Sequence, residues 1–217
     1  MSAPREVGPR SREIVAREAR HIAPGYQSFA LYSGLAMARG SGSRLWDEDG
    51  NEYIDFIAGI AVGSIGHCHP HYVEALKRQA ERLTFGSFTT ETRARFLELM
   101  AKVTPEGLTR IQLFSGGAEA VEAGLRLAKA ATGRQEVMGF WGGFHGKTGG
   151  VIGLIGDEWK QKWGPLPGGT YQVPYADCYR CPFKLSYPAC GMACLEFARE
   201  QLKVTTAGAI AAIIVEP

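Results

Sequence analysis

The feature that most constrains this chain is a change of period. From residue 111 onward, short apolar runs of strand length alternate with stretches whose apolar positions recur at helical spacing. The strand-like runs are 111–114, 137–141, 151–155 and 209–215, and the helical stretches are 118–132 and 193–204. Alternation on this scale predicts an α/β fold, a mainly parallel sheet with flanking helices.

The residues before 111 read differently. A polar helix over 11–21 leads into a linker-like stretch through Pro24-Gly25 and Gly40-Ser41-Gly42. Arg44-Leu45-Trp46 and Tyr53-Ile54-Asp55-Phe56 then flank Asp47-Glu48-Asp49-Gly50-Asn51, a hairpin signal with glycine where positive φ is wanted. A small antiparallel sheet is expected there. From Pro70, apolar Val73, Leu76, Ala80 and Leu83 share one helical face, with Glu74 and Arg78 spaced i,i+4. A second helix should turn Phe96, Leu97, Met100 and Val103 inward. The expected organisation is therefore an N-terminal segment with a small subdomain over 1–66, then the first part of a large domain over 67–217. The closing run Ala211-Ala212-Ile213-Ile214-Val215-Glu216-Pro217 reads as a buried parallel strand cut at its carboxyl end, so a fragment or a chain completed by a second polypeptide is expected. A true terminus on an edge strand is the alternative.

The 24 basic and 22 acidic residues leave a formal charge of +2. That balance argues against a nucleic-acid or anionic-membrane partner. No apolar run approaches the roughly 18 residues of a membrane span, and the charged first 20 residues lack a signal peptide's apolar centre, so a cytosolic protein is expected. Five cysteines in such a chain point to free thiols or a metal site before disulfides.

Residues 111–114 run into Ser115-Gly116-Gly117 and then into a helix whose Val121, Leu125 and Ala128 repeat at helical spacing, with Gly133 as its stop. A helix N-terminus offers unpaired N–H groups and about half a positive charge, which stabilises phosphate. Two glycines allow close approach of the backbone. A plain tight turn is the other reading. No G-x-G-x-x-G follows the strand, and Gly146-Lys147-Thr148 has Trp141 where a P-loop needs its first glycine, which weighs against a nucleotide-binding module.

Five segments occur in order. They are Arg44 through Phe56, Gly66-His67-Cys68-His69-Pro70, Ser115-Gly116-Gly117-Ala118-Glu119-Ala120-Val121-Glu122, Gly143-Phe144-His145-Gly146-Lys147-Thr148 and Ile213-Ile214-Val215-Glu216-Pro217. Together they resemble the class III aminotransferases, which include 4-aminobutyrate, ornithine and acetylornithine aminotransferases. The resemblance runs from about residue 25 to the end and covers the first half of that family's usual length. It implies a homodimeric fold-type-I enzyme that uses pyridoxal 5′-phosphate (PLP), an amino donor and a 2-oxo acid acceptor.

Carried over by position, Gly117 and Ala118 resemble the backbone phosphate binders. Ser115-Gly116 stands where many relatives have Asn-Ser, so a hydroxyl ligand is expected to be lost or displaced. Phe144 resembles the residue stacked on the pyridine ring, and His145 a hydrogen-bonding neighbour of the cofactor; core packing is the alternative for both. Lys147 stands where the 4-aminobutyrate and ornithine enzymes carry an arginine that holds a substrate carboxylate. Lysine keeps the charge without the bidentate fork, and a solvated lysine is the other reading. Glu216 resembles the glutamate that pairs with a mobile arginine. The Schiff-base lysine falls after residue 217 in that family, so no catalytic lysine is expected in this chain, which alone should not transaminate.

The chain also resembles 2,2-dialkylglycine decarboxylases, in which a glutamine assists loss of CO₂. Ile60 occupies the matching position and cannot hydrogen-bond a carboxylate, which favours transamination. Amino-acid racemases of the same family remain open. Cys178, Cys181, Cys190 and Cys194, spaced C-x₂-C-x₈-C-x₃-C, offer a possible ligand set for zinc or an iron–sulfur cluster, with free or paired thiols as the alternative.

Overall fold

The computed structural model describes residues 6–23, 31–161 and 163–217. The stretch at Pro24-Gly25, read as linker-like, lies outside them. By internal packing the chain divides into two units, Met1–Arg95 and Phe96–Pro217.

In the first unit, α1 (Pro9–Glu18) precedes an antiparallel sheet of β1 (Met37–Ser41), β2 (Arg44–Asp47) and β3 (Glu52–Ile54), in that order. Gly40-Ser41-Gly42 is thus no linker: it ends β1 and opens the turn into β2, with Gly42 at φ +55°. Cross-strand pairing won over a composition that reads as flexible. Asp47 organises the next turn. Its buried carboxylate accepts from the amides of Asp49 and Asn51, from the Asn51 side chain and from the Tyr53 hydroxyl. Burial alone would raise its pKa, but these donors outweigh it and the carboxyl is held below its usual range. A bridge between Gly42 and His67 closes this part of the chain.

After β3 comes α2 (Ala58–Ala61), a single turn in which Ala58, Gly59, Ile60 and Ala61 all have positive φ, from 47° to 65°. Asp55 holds it, accepting from the amides of Ile57 and Ala58 and meeting His67 Nε2 at 2.7 Å. Next, α3 (Pro70–Ala80) begins at its proline, and Glu74 pairs with Arg78 at 3.3 Å. In α4 (Glu91–Val103) the expected inward face is only partly inward. Leu97 and Met100 are half-buried, while Phe96 and Val103 stay exposed because no element among the described residues covers that side.

The second unit is the α/β part. Its sheet has β4 (Glu136–Phe140) in the centre, paired in parallel with β5 (Thr170–Val173) on one side and β6 (Ile210–Ile213) on the other. The helix α5 (Gly117–Thr132) packs on β6, and α6 (Ala193–Thr205) on β5. Leu125 of α5, Val137 of β4, Val151 and Leu154 form the core cluster, joined by Ala118, Val121, Ala212 and Ile214. Gly133 ends α5 at φ +68°, the left-handed cap that its position predicted.

Two expected strands are absent. Residues 111–114 join no ladder among the described residues, and Leu113 is 53% exposed. A strand needs a partner, and apolar content alone supplies none. The run 151–155 is instead a 3₁₀ turn, Ile152–Leu154, started by the Thr148 carbonyl, which accepts from the amides of Val151 and Ile152. Its burial is complete at Val151, Leu154 and Ile155. A short buried apolar run reads the same whether it is strand or turn. Among the described residues, no helix is long and apolar enough to cross a membrane.

Candidate functional site

In the second unit, the carboxyl ends of three parallel strands meet one helix N-terminus. That is where open α/β sheets leave a crevice, because the connecting loops diverge there. The helix is α5. Its N-cap, Gly116, is extended (φ −148°, ψ 158°), and a Cβ built on Gly116 or Gly117 would meet no atom within 4 Å. Glu119 folds back so that Oε2 accepts from the amides of Ser115 and Gly116, each at 3.1 Å. The N–H groups of Gly117 and Ala118 belong to the first turn, which has no intrahelical acceptor for them. An anion is the natural partner for such a pair.

The loop leaving β4 is fastened to this helix. Gly146 has φ +117°, and a Cβ there would lie 2.4 Å from Ala118 Cβ, so the loop backbone rests directly on the first turn of α5. Farther along, Glu122 Oε1 accepts from Thr148 Oγ1 at 2.5 Å and from the Gly150 amide at 2.8 Å. These two hydrogen bonds, helped by Arg126 nearby, hold the Glu122 carboxyl below its ordinary range despite partial burial. Gly156 closes the back of the loop, donating to Gly143 O and accepting from Gly142 N.

The carboxyl end of β6 reaches the same place. Glu216 Oε2 accepts from the Phe144 amide at 2.8 Å, joining loop and strand end across 72 residues. Tyr175, just past β5, completes the arrangement. Its hydroxyl donates to the Glu216 carbonyl at 2.8 Å and accepts from the Glu216 amide at 3.0 Å, and its ring stacks on Phe140 with centroids 4.6 Å apart. His145 is 7% exposed, and its Nε2 is buried without a hydrogen-bond partner among the described residues. Burial pushes its pKa below the ordinary histidine value, and the Glu216 charge opposes this in part. The ring is therefore neutral near pH 7, with one unsatisfied nitrogen.

Gly117, Ala118, Phe144, His145 and Glu216 are thus brought together, and Lys147 lies exposed on the same loop. Ile60 belongs to the first unit, on the strained turn α2, and is 74% exposed. Glu122 and Tyr175 had no expected role. Glu122 sat inside a recognised motif, one helical turn after Ala118; Tyr175 follows a strand that its sequence did not reveal. Lys160, whose ammonium burial pushes below its usual range, donates to Gln172 on β5 at 2.8 Å.

The cysteines are free thiols, one of the two readings of their spacing, and do not form the metal centre that was the other. Cys178, Cys181, Cys190 and Cys194 line one hollow, yet among the described residues no three His, Cys, Asp or Glu side chains converge as a metal requires. Zinc or an iron–sulfur cluster needs thiolates aimed at one point about 2.3 Å from each sulfur, which common lining does not provide.

A family model described as aminotransferase class-III matches residues 27–217. The acetylornithine aminotransferase of Methanopyrus kandleri is 40% identical over 146 residues, which cover 66% of this chain and 38% of that protein. The 2-aminoadipate transaminase of Pseudomonas putida is 39% identical over 155 residues, covering 69% and 37%. A solved (S)-enantioselective omega-transaminase from Thermomicrobium roseum superposes with a TM-score of 0.79 at 26% identity, covering 93% of this chain and 48% of that one. The chain spans less than half the length of each. The fold is that of these fold-type-I transaminases, as the strand and helix alternation and the motif order led one to expect.

Proposed function

Because the chain belongs to the class III aminotransferases, matched over residues 27–217, we propose that it supplies the cofactor cradle of a PLP-dependent transaminase. In this reading the enzyme moves an amino group from an amine donor to a 2-oxo acid such as 2-oxoglutarate. The observation that carries it is the joining of α5, the 143–150 loop and Glu216 into one hydrogen-bonded site.

The residues present fit the cofactor. Open space at Gly116 and Gly117 admits a phosphate against the first-turn amides of Gly117 and Ala118, and Phe144 offers a ring beside it. When bound, PLP supplies an aldehyde that captures amines and a ring that withdraws electrons. The chain's own residues do the rest. With the cofactor bound, Phe144 would stack on its ring, a contact worth about 1 kcal/mol. The neutral His145 sits buried in the same loop with its Nε2 unsatisfied. Lys147 attracts a donor carboxylate as a point charge. The Phe144 amide on Oε2 fixes the Glu216 carboxylate, whose remaining lone pairs can accept from an arginine arriving there.

The donor we propose is an ω-amino acid or related amine, 4-aminobutyrate-like. The names of the relatives, acetylornithine and 2-aminoadipate, fit the wider class of carbon chains bearing both amine and carboxylate. We further assign 1–66 to the N-terminal segment and small subdomain, 67–217 to the large domain, and the whole enzyme to a cytosolic homodimer.

The test is a panel of amine donors with 2-oxoglutarate and pyruvate, run on the full-length gene product and followed by the cofactor's absorbance. Discharge of the aldehyde form by ω-amino acids is expected. If no donor discharges it, transamination is wrong; loss of CO₂ or inversion of an amino acid would point to the decarboxylase or racemase reading.

A further inference from the structure

The four clustered cysteines remain unused by the proposed chemistry. Cys178 and Cys181 follow β5, Cys190 lies in the turn before α6 and Cys194 in its first turn, and all four line the same hollow with Tyr175 and Phe183. The hollow is about 20 Å³, room for a single water and too small for an organic ligand. No metal geometry gathers the thiols, and none is in a disulfide. Cys178 is exposed, whereas Cys181, Cys190 and Cys194 are half-buried. One thiol is thus open to a reagent from solvent, and the other three are half-buried in the lining of the same hollow.

We propose that this hollow is a reversible dithiol site, in which Cys178 or Cys181 and Cys190 or Cys194 close a disulfide across it. The oxidant is a low-molecular-weight disulfide. The Cys178 thiolate attacks one of its sulfurs, forming a mixed disulfide and releasing one small thiolate. A half-buried protein thiolate then attacks the linked sulfur, directly or by way of Cys181, and releases the second. The protein loses two protons and two electrons, which leave with the two reduced small thiols. Reversal needs only excess small thiol, which suits a protein in a reducing compartment.

The position gives the bond a consequence. Tyr175 forms part of the wall, and its hydroxyl holds the Glu216 backbone. Phe183, also in the wall, packs on Phe197, which meets Trp141 at the end of β4. A bond across the hollow ties down the segment that positions Glu216.

The experiment takes the reduced full chain, measures its metal content, equilibrates it with glutathione disulfide, and alkylates it in denaturant. All five cysteines should alkylate before oxidation. Afterwards the count should fall by two, or by four if both pairs close, with Cys68 always among the reactive ones. Mapping without reductant should join a peptide containing Cys178 or Cys181 to one containing Cys190 or Cys194, and dithiothreitol should restore all five. A chain with both Cys190→Ser and Cys194→Ser should give no such cross-link. Five reactive thiols after oxidation, stable glutathione adducts, a Cys178–Cys181 link, or one thiol-bound metal per chain beforehand would each overturn the proposal.

Discussion

Gly146→Ala tests how the site is assembled. At φ +117° an alanine is strained by roughly 1–3 kcal/mol. Its methyl would also lie 2.4 Å from Ala118 Cβ and 3.2 Å from Val151 Cγ2, where carbon atoms settle at about 3.5–4.0 Å. Relieving this moves the loop about an ångström off the first turn of α5, an overpacking cost of roughly 1–3 kcal/mol. A total near 4 kcal/mol is expected, or a fall in Tm of about 15 °C for a unit of this size. Urea and thermal unfolding would measure it, and titration of the full-length gene product with PLP should show weakened binding. Adding Ala118→Gly removes the methyl at 2.4 Å but leaves the Ala118 Cα at 2.8 Å, so the double variant should regain only a small part of the loss. If Gly146→Ala melts within a degree of the parent and binds PLP equally, the loop does not rest on α5 as described.

Other perturbations probe the support. Leu154→Ala empties a fully buried position in the core cluster and should cost about 3 kcal/mol in urea unfolding, since deleting buried leucine atoms leaves a cavity. Acid should weaken the second unit through Glu136, whose carboxylate accepts from the Ala207 and Ala209 amides and the Tyr171 hydroxyl. The Ala207 bond, over an opposing burial effect, holds its folded pKa below the ordinary 4.5. Stability from that difference is present above the unfolded value and lost as pH falls through the folded one, so Glu136→Gln should flatten the urea midpoint against pH in that window. Lys147→Arg, by restoring a bidentate fork, should lower KM about 3- to 10-fold for carboxylate-bearing donors, a gain near 1 kcal/mol, and leave a plain amine unchanged. Equal shifts for both donors would remove Lys147 from the substrate pocket.

What the sequence revealed follows from where signals are local. The helix α5 announced itself through Val121, Leu125, Ala128 and the Gly133 stop, all within one element. β4 and β6 were legible because each is a run of apolar residues bounded by turns. The Gly-rich turn, Phe144 and Glu216 were placed by motif order, and the structure hydrogen-bonds Phe144 to Glu216 and rests Gly146 on the first turn of α5. What stayed hidden depends on partners distant in sequence. Residues 111–114 look like β4 but find no ladder among the described residues, and β5 follows two glycines that read as loop. Tyr175 matters through a hydroxyl that meets a residue 41 positions away, a relation no window of sequence contains. Glu122 was visible as a helix residue; its grip on Thr148 and Gly150 was not.

The turn α2 inverts a familiar rule. Glycine ordinarily weakens a chain because it has the most freedom to lose, but Ala58, Ile60 and Ala61 each hold a left-handed conformation costing L-residues roughly 1–2 kcal/mol. Ile60 is largely exposed, so its side chain returns little by burial. Ile60→Gly should therefore raise the stability of the first unit. The strain at residues 58–61 is held in place by Asp55, which accepts from the Ile57 and Ala58 amides, and unwinding of the turn would release it.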